Sequence, residues 1–157
     1  MRGVVVGVQE GPALISTSEP FDTRDNSVVV SVRVVQVFKD EESLVRDDLV
    51  HVSLPRGVGA LDEDGQVLPN DAAPSLAEVR ESLRAGLEVV VIARPRDDAE
   101  HVASPSVIRE EWHGQLPTDA ILLGGMHPQS FVVDQGDEPL HSWPGLTFAD
   151  LVEQLRQ

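Results

Sequence analysis

One run of residues limits what this chain can fold into more than any other: Ser27 to Lys39, SVVVSVRVVQVFK. It holds the longest series of β-branched side chains, and neither Gly nor Pro interrupts it. Val28, Val30, Val32 and Val34 share one parity, with Ser31 and Arg33 on the other, as a strand with one buried face requires. Then the phase changes. Val35 and Val37 carry the apolar positions and Gln36 takes the opposite phase. A side-chain period of two slips only where the ladder is disturbed, so a β-bulge near Val34–Val35 is expected. The alternative is burial on both faces at that point.

Around this long, bent strand the chain reads as follows. Val4, Val5, Val6 and Val8 form a first β run, broken by Gly11-Pro12 and continued by Ala13-Leu14-Ile15; Pro in a strand marks an edge or a kink. Leu49 to Leu54 (LVHVSL) is a third strand, with Leu49, His51 and Ser53 on one face and Val50, Val52 and Leu54 on the other. Asp64-Gly65 predicts a small hairpin turn. Ser75 to Ala85 predicts a helix: Ser75 and Glu78 form a capping box, and Gly86 stops it. Leu87 to Ala93 is an apolar strand closed by Arg94-Pro95. Ser106 to Glu111 predicts another, and Phe131–Val133 is expected to pair with Ala120–Leu123 across GGMHPQ. Thr147 and Asp150 cap a last helix with Phe148, Leu151, Val152 and Leu155 as its apolar face.

Three early strands, a helix, then more strands predict a mainly β (α+β) protein. The expectation is a five-stranded OB-like Greek-key barrel, with one helix between strands 3 and 4 and a C-terminal helix. An α+β sandwich is the alternative; a doubly wound fold is excluded because helices and strands do not alternate. Residues 1–111 are expected to form the barrel. Residues 112–157 are expected to form an extension, a short hairpin and the terminal helix, packed on it.

At 157 residues a chain buries roughly 68–70% of its unfolded surface and needs no staple. It has no Cys, which excludes disulfides, Cys-based zinc sites and thiol catalysis. With 27 acids against 12 bases its net charge is −15. That field repels nucleic-acid phosphates and anionic membranes and suits a cationic partner. No apolar run reaches the roughly 20 residues of a membrane span. MRGVVVGV is too short for a signal peptide's apolar core and reads as a strand. A cytoplasmic location is therefore expected.

The segments VVVSVRVVQVFKDEE, DLVHVSLPRG and GLEVVVIARP, within Val28 to Pro95, resemble in order the netrin-like and tissue-inhibitor-of-metalloproteinase-like version of the OB fold. That resemblance implies a barrel. The N-terminal Cys through which such domains inhibit metalloproteinases has no counterpart here, so it implies nothing about inhibition.

Candidate sites are few. Ala60 to Asp71 partly resembles an EF-hand calcium loop, with Asp62, Asp64, Gly65 for the turn, and Asp71 at the closing position. Ala60 offers no side-chain oxygen, and Asp71 stands where a bidentate Glu belongs. A solvated acidic turn is therefore the competing reading of Asp62, Asp64 and Asp71. The histidines His51, His101, His113, His127 and His141 form none of the short spacings that hold a metal. Ser130 near His127 lacks the strand–turn–helix setting of an activated nucleophile, and Gly124-Gly125 reads as a turn. Phe38, Phe131 and Phe148 read as core. Trp112 and Trp143, with His113 and His127, are the candidate binding residues, because Trp beside polar loops anchors interfaces.

These features predict a small acidic binding or assembly module without catalytic activity or cofactor. Its partner is expected to be a protein met through the C-terminal helix. A hydrolase or metal-dependent enzyme using His113, His127, Asp119 and Asp134 is the alternative. A single-stranded nucleic-acid binder is a further one, which the charge opposes.

Overall fold

The computed structural model describes residues 1–17, 20–39, 42–69, 73–96, 106–125 and 127–157. Its strands are β1 (Arg2–Glu10), β2 (Leu14–Ser16), β3 (Thr23–Gln36), β4 (Leu49–Ala60), β5 (Glu88–Val91), β6 (Arg94–Pro95), β7 (Val107–Arg109), β8 (Leu122–Gly124) and β9 (Phe131–Val133). Its helices are α1 (Leu76–Ser82) and α2 (Phe148–Leu155). The protein is mainly β, as the alternation predicts.

The strand count and closure differ from expectation. Among the described residues nine strands form one sheet, not five, and its path β6-β8-β4-β3-β1-β5-β9 has two ends, with β2 bridging β3 and β7. Gly11-Pro12 splits the first run into β1 and β2, which pair with β3 in turn. Ile92-Ala93 likewise separates β5 from β6, which lie toward opposite ends of the path. The hairpin expected between β8 and β9 does not form. β8 instead runs parallel to β4 and antiparallel to β6, while β9 pairs with β5. Gly125 stays with β4, donating its N–H to Ser53 O at 2.9 Å.

The predicted bulge is present. Arg2 pairs with Gln36 and Gly3 with Val34, so Val35 is an extra residue on β3. Val34 and Val37 both pack on the main core across it. A second extra residue, Val6, lets Val5 and Val8 reach the same core. A third, Arg56, lies on β4 between the partners of Asn26 and Ser27. Each bulge bends its strand and increases its twist.

The main core joins Val5, Val8, Val28, Val30, Val32, Val50, Val52, Val89, Val91 and Leu123. α1 covers it with Leu76, Val79 and Leu83, all half-buried. Both helices carry the predicted capping boxes, on Ser75/Glu78 and Thr147/Asp150. Bonds from the Ser75 hydroxyl and backbone hold the Glu78 carboxyl below its ordinary range. α2 packs Phe148, Leu151 and Val152 on Val90 and Val132 in a second core. β5 is thus buried on both faces, which its unbroken apolar run requires.

Candidate polar face under a crossing segment

Directly paired residues on neighbouring strands share a face. Val8–Val30–Val52 therefore points inward, and Gln9–Val29–Ser53–Gly124 points the other way. The next outward row is Gly7–Ser31–His51–Leu122. The middle of this outward face is nonetheless buried, Val29 being 0%, His51 6% and Ser53 4% exposed, while Gly7, Gln9, Ser31, Leu122 and Gly124 around them are half-buried.

Residues 110–121 run across part of it. They leave β7, on the β2 side of β3, and enter β8, beyond β4. To do so they must cross β3 and β4. Gln9 fixes the face they cross: its side-chain amide donates to Gln115 O at 2.9 Å and accepts from Gln115 N at 3.3 Å. The crossing segment alternates. Glu110, Trp112, Gly114 and Leu116 are half-buried; Glu111, His113 and Gln115 are exposed. Arg24 clamps Glu110, with Nε at 2.9 Å and Nη2 at 2.5 Å from one carboxylate oxygen. Trp112 Nε1 donates to Glu10 O at 2.9 Å. Arg46 lies 3.9 Å from Asp119.

Beneath it the face is polar. Ser31 Oγ and His51 Nδ1 are 3.0 Å apart. Arg96 Nη1 donates to Ser53 Oγ at 2.6 Å. Burial lowers the His51 imidazolium below its ordinary value, which favours the neutral ring, and it lowers the Arg96 guanidinium too. Among the described residues His51 Nε2 is buried without a hydrogen-bond partner.

The sign of the His51 effect gives a prediction. Folding lowers its pKa below 6.5, so the unfolded chain takes the proton first. Its contribution is complete above that value and is lost as pH falls from there toward the folded pKa. Urea midpoints at neutral and mildly acidic pH should show this loss. A His51→Gln variant should lose that part of the pH dependence, and an unchanged slope would contradict the assignment.

The residues singled out from sequence are dispersed. Trp112 and His113 lie on the crossing segment, Trp112 turned toward the sheet and His113 toward solvent. His127 lies on the turn before β9, where its Nδ1 accepts from Gln129 N at 3.2 Å. Trp143 packs on the second core, its Nε1 buried without a partner. Asp119 sits beside Arg46, and Asp134 Oδ1 accepts from Gly136 N at 2.8 Å. Asp62 Oδ1 accepts from the amides of Asp64 and Gln66, at 3.0 and 2.8 Å. It therefore closes its own turn, with Leu61 bridged to Val67 as the hairpin reading predicts. Asp71 and His101 lie outside the described residues. Among the described residues no group of three or more His, Asp or Glu side chains is placed to hold a metal ion, and no helix is long and apolar enough to cross a membrane. The apolar face of α2 is covered within its own chain. Sequence reasoning passed over Ser31, Ser53 and Arg96. Their only signal is polar residues at alternate positions of two otherwise apolar strands.

The chain matches no family model, no curated protein and no solved structure.

Proposed function

We propose that this chain is a binding or assembly module without catalytic chemistry, built on an OB-type barrel, whose recognition surface is the outward face of β3 and β4. Its support begins with strand order. The run Glu88–Pro95 meets β1 through β5 and β8 through β6. Taken as one bent strand, it completes a ring of β1, β3, β4 and β8, with α1 just before it. Three bulges supply the bending such a ring needs. OB barrels take ligands on the outer face of their second and third strands, here β3 and β4. The netrin-like resemblance extends to the scaffold alone.

The observation that carries the functional reading is His51. A buried imidazole nitrogen without a partner costs about 1–3 kcal/mol. It sits on a face that also carries Ser31, Ser53 and Arg96. Such a face is better suited to a partner that supplies a hydrogen bond than to its own cover. The net charge of −15 makes nucleic acid the poorest such partner.

Titration of the 15N-labelled chain with a peptide mixture, a chito-oligosaccharide and oligothymidylate tests this. The expected result is movement of the Ser31, His51 and Ser53 amides with peptide or saccharide, and none with oligothymidylate. Stationary amides throughout would end the binding reading. One observation favours a second reading, a hydrolase: Ser31 and His51 stand 3.0 Å apart, as a nucleophile and base do. No carboxylate is hydrogen-bonded to Nε2 to orient the ring. Fluorophosphonate labelling of Ser31 would establish that reading instead.

A further inference from the structure

A second surface lies at the far end of β3. The ladder with β4 ends at Arg33–Leu49, and one more bond follows, Val34 N to Asp48 O at 2.7 Å. Beyond it no strand among the described residues borders Val35 to Val37 on the β4 side. A shallow open groove of about 450 Å³ lies there, between β3 and the loop that leads back to β4. Val34, Val37 and Val45 line it half-buried and also pack on the main core. Val35, the extra residue of the bulge, is 67% exposed at its edge. Asp47 and Asp48 stand opposite, both exposed, with φ of 50° and 61°.

We propose that this groove receives a lysine or arginine side chain, presented on an extended segment of a partner protein. The apolar stem of such a side chain would lie on the valines while its cation meets the two carboxylates. That combination of an apolar floor and paired acids matches a long cationic side chain, and it excludes a phosphate, a lipid headgroup or an acidic peptide. The whole chain's charge of −15 attracts the same class of partner. A drug-sized molecule favours a more enclosed site. The unpaired edge at Val35–Val37 offers backbone groups to a partner in extended conformation.

The test is titration of the full 15N-labelled chain with a capped peptide of alternating Lys and Val, and separately with calcium chloride. The peptide is expected to move the amides of Val35, Val37, Val45, Asp47 and Asp48 and to leave those of Ser31, His51 and Ser53 in place. This distinguishes the groove from the outward face of β3 and β4. A double Asp47→Asn, Asp48→Asn variant should weaken binding about tenfold, as should raising salt from roughly 0.05 to roughly 0.5 M. Asn tolerates the left-handed backbone, so the variant keeps the loop. Val35→Thr, which keeps the shape and loses the apolar surface, should weaken it as well. Peptide affinity unchanged in the double variant, no movement at millimolar peptide, or saturation by calcium but not by peptide would each overturn the proposal.

Discussion

Replacing Leu151 with alanine is expected to destabilise the protein by about 3 kcal/mol, within the range for truncating a buried leucine. Leu151 is 1% exposed and sits in α2 among Val90, Val132, Leu140, Phe148 and Val152. The value follows from position. Val90 shares β5 with Val89 and Val91, which face the main core. A cavity beside Val90 therefore weakens the strand from which that core is built. Domains of this size are stable by roughly 5–15 kcal/mol, so the loss is large. Urea denaturation measures it as a lower midpoint with an unchanged slope. A loss below about 1 kcal/mol would mean that α2 is an appendage and that β5 is closed by something else.

Gly3→Ala is expected to cost at least about 3 kcal/mol, at or above the top of the usual range for overpacking. Gly3 pairs with Val34 across from the bulge. A Cβ there would collide with the carbonyl oxygen of Arg33 and lie 2.6 Å from Val32 Cγ1. A backbone carbonyl in a ladder cannot swing aside as a flexible side chain can. Either β1 and β3 separate or the bulge moves. Thermal denaturation would report the loss, and a variant as stable as the parent would show that the strands do not approach so closely at Val34–Val35.

The bulge was legible because side-chain parity is strict: a strand that changes phase without a Gly or Pro must carry an extra residue or be buried on both faces. The two capping boxes were legible because each lies within four residues of chain. The largely apolar Leu87–Ala93 run announced a strand. What could not be read was any pairing that skips over neighbours. Phe131–Val133 is close in sequence to Leu122–Gly124, yet it pairs with β5, because Val132 is needed opposite Val90 beneath α2. The contact of Ser31 with His51 depends on register across an irregular connection of twelve residues between β3 and β4. LVHVSL shows only that His51 and Ser53 lie on the face opposite Val50 and Val52. That residues 110–121 cross that face leaves no periodic mark beyond a short alternation around Trp112.

Recognition at the outward face of β3 and β4 requires this crossing segment to be a separable cover and not part of the cooperative core. Val29 and Val30 are adjacent, equally buried at 0% exposure, and on opposite faces of β3. Because the chain has no cysteine, Val29→Cys and Val30→Cys each create a single thiol whose labelling rate reports how its face opens. The expected result is that Cys at 29 is labelled at least about a hundredfold faster than Cys at 30, with a much weaker dependence on denaturant, as local opening gives. Equal rates, both with the denaturant dependence of global unfolding, would contradict it and make the segment an integral wall of the fold.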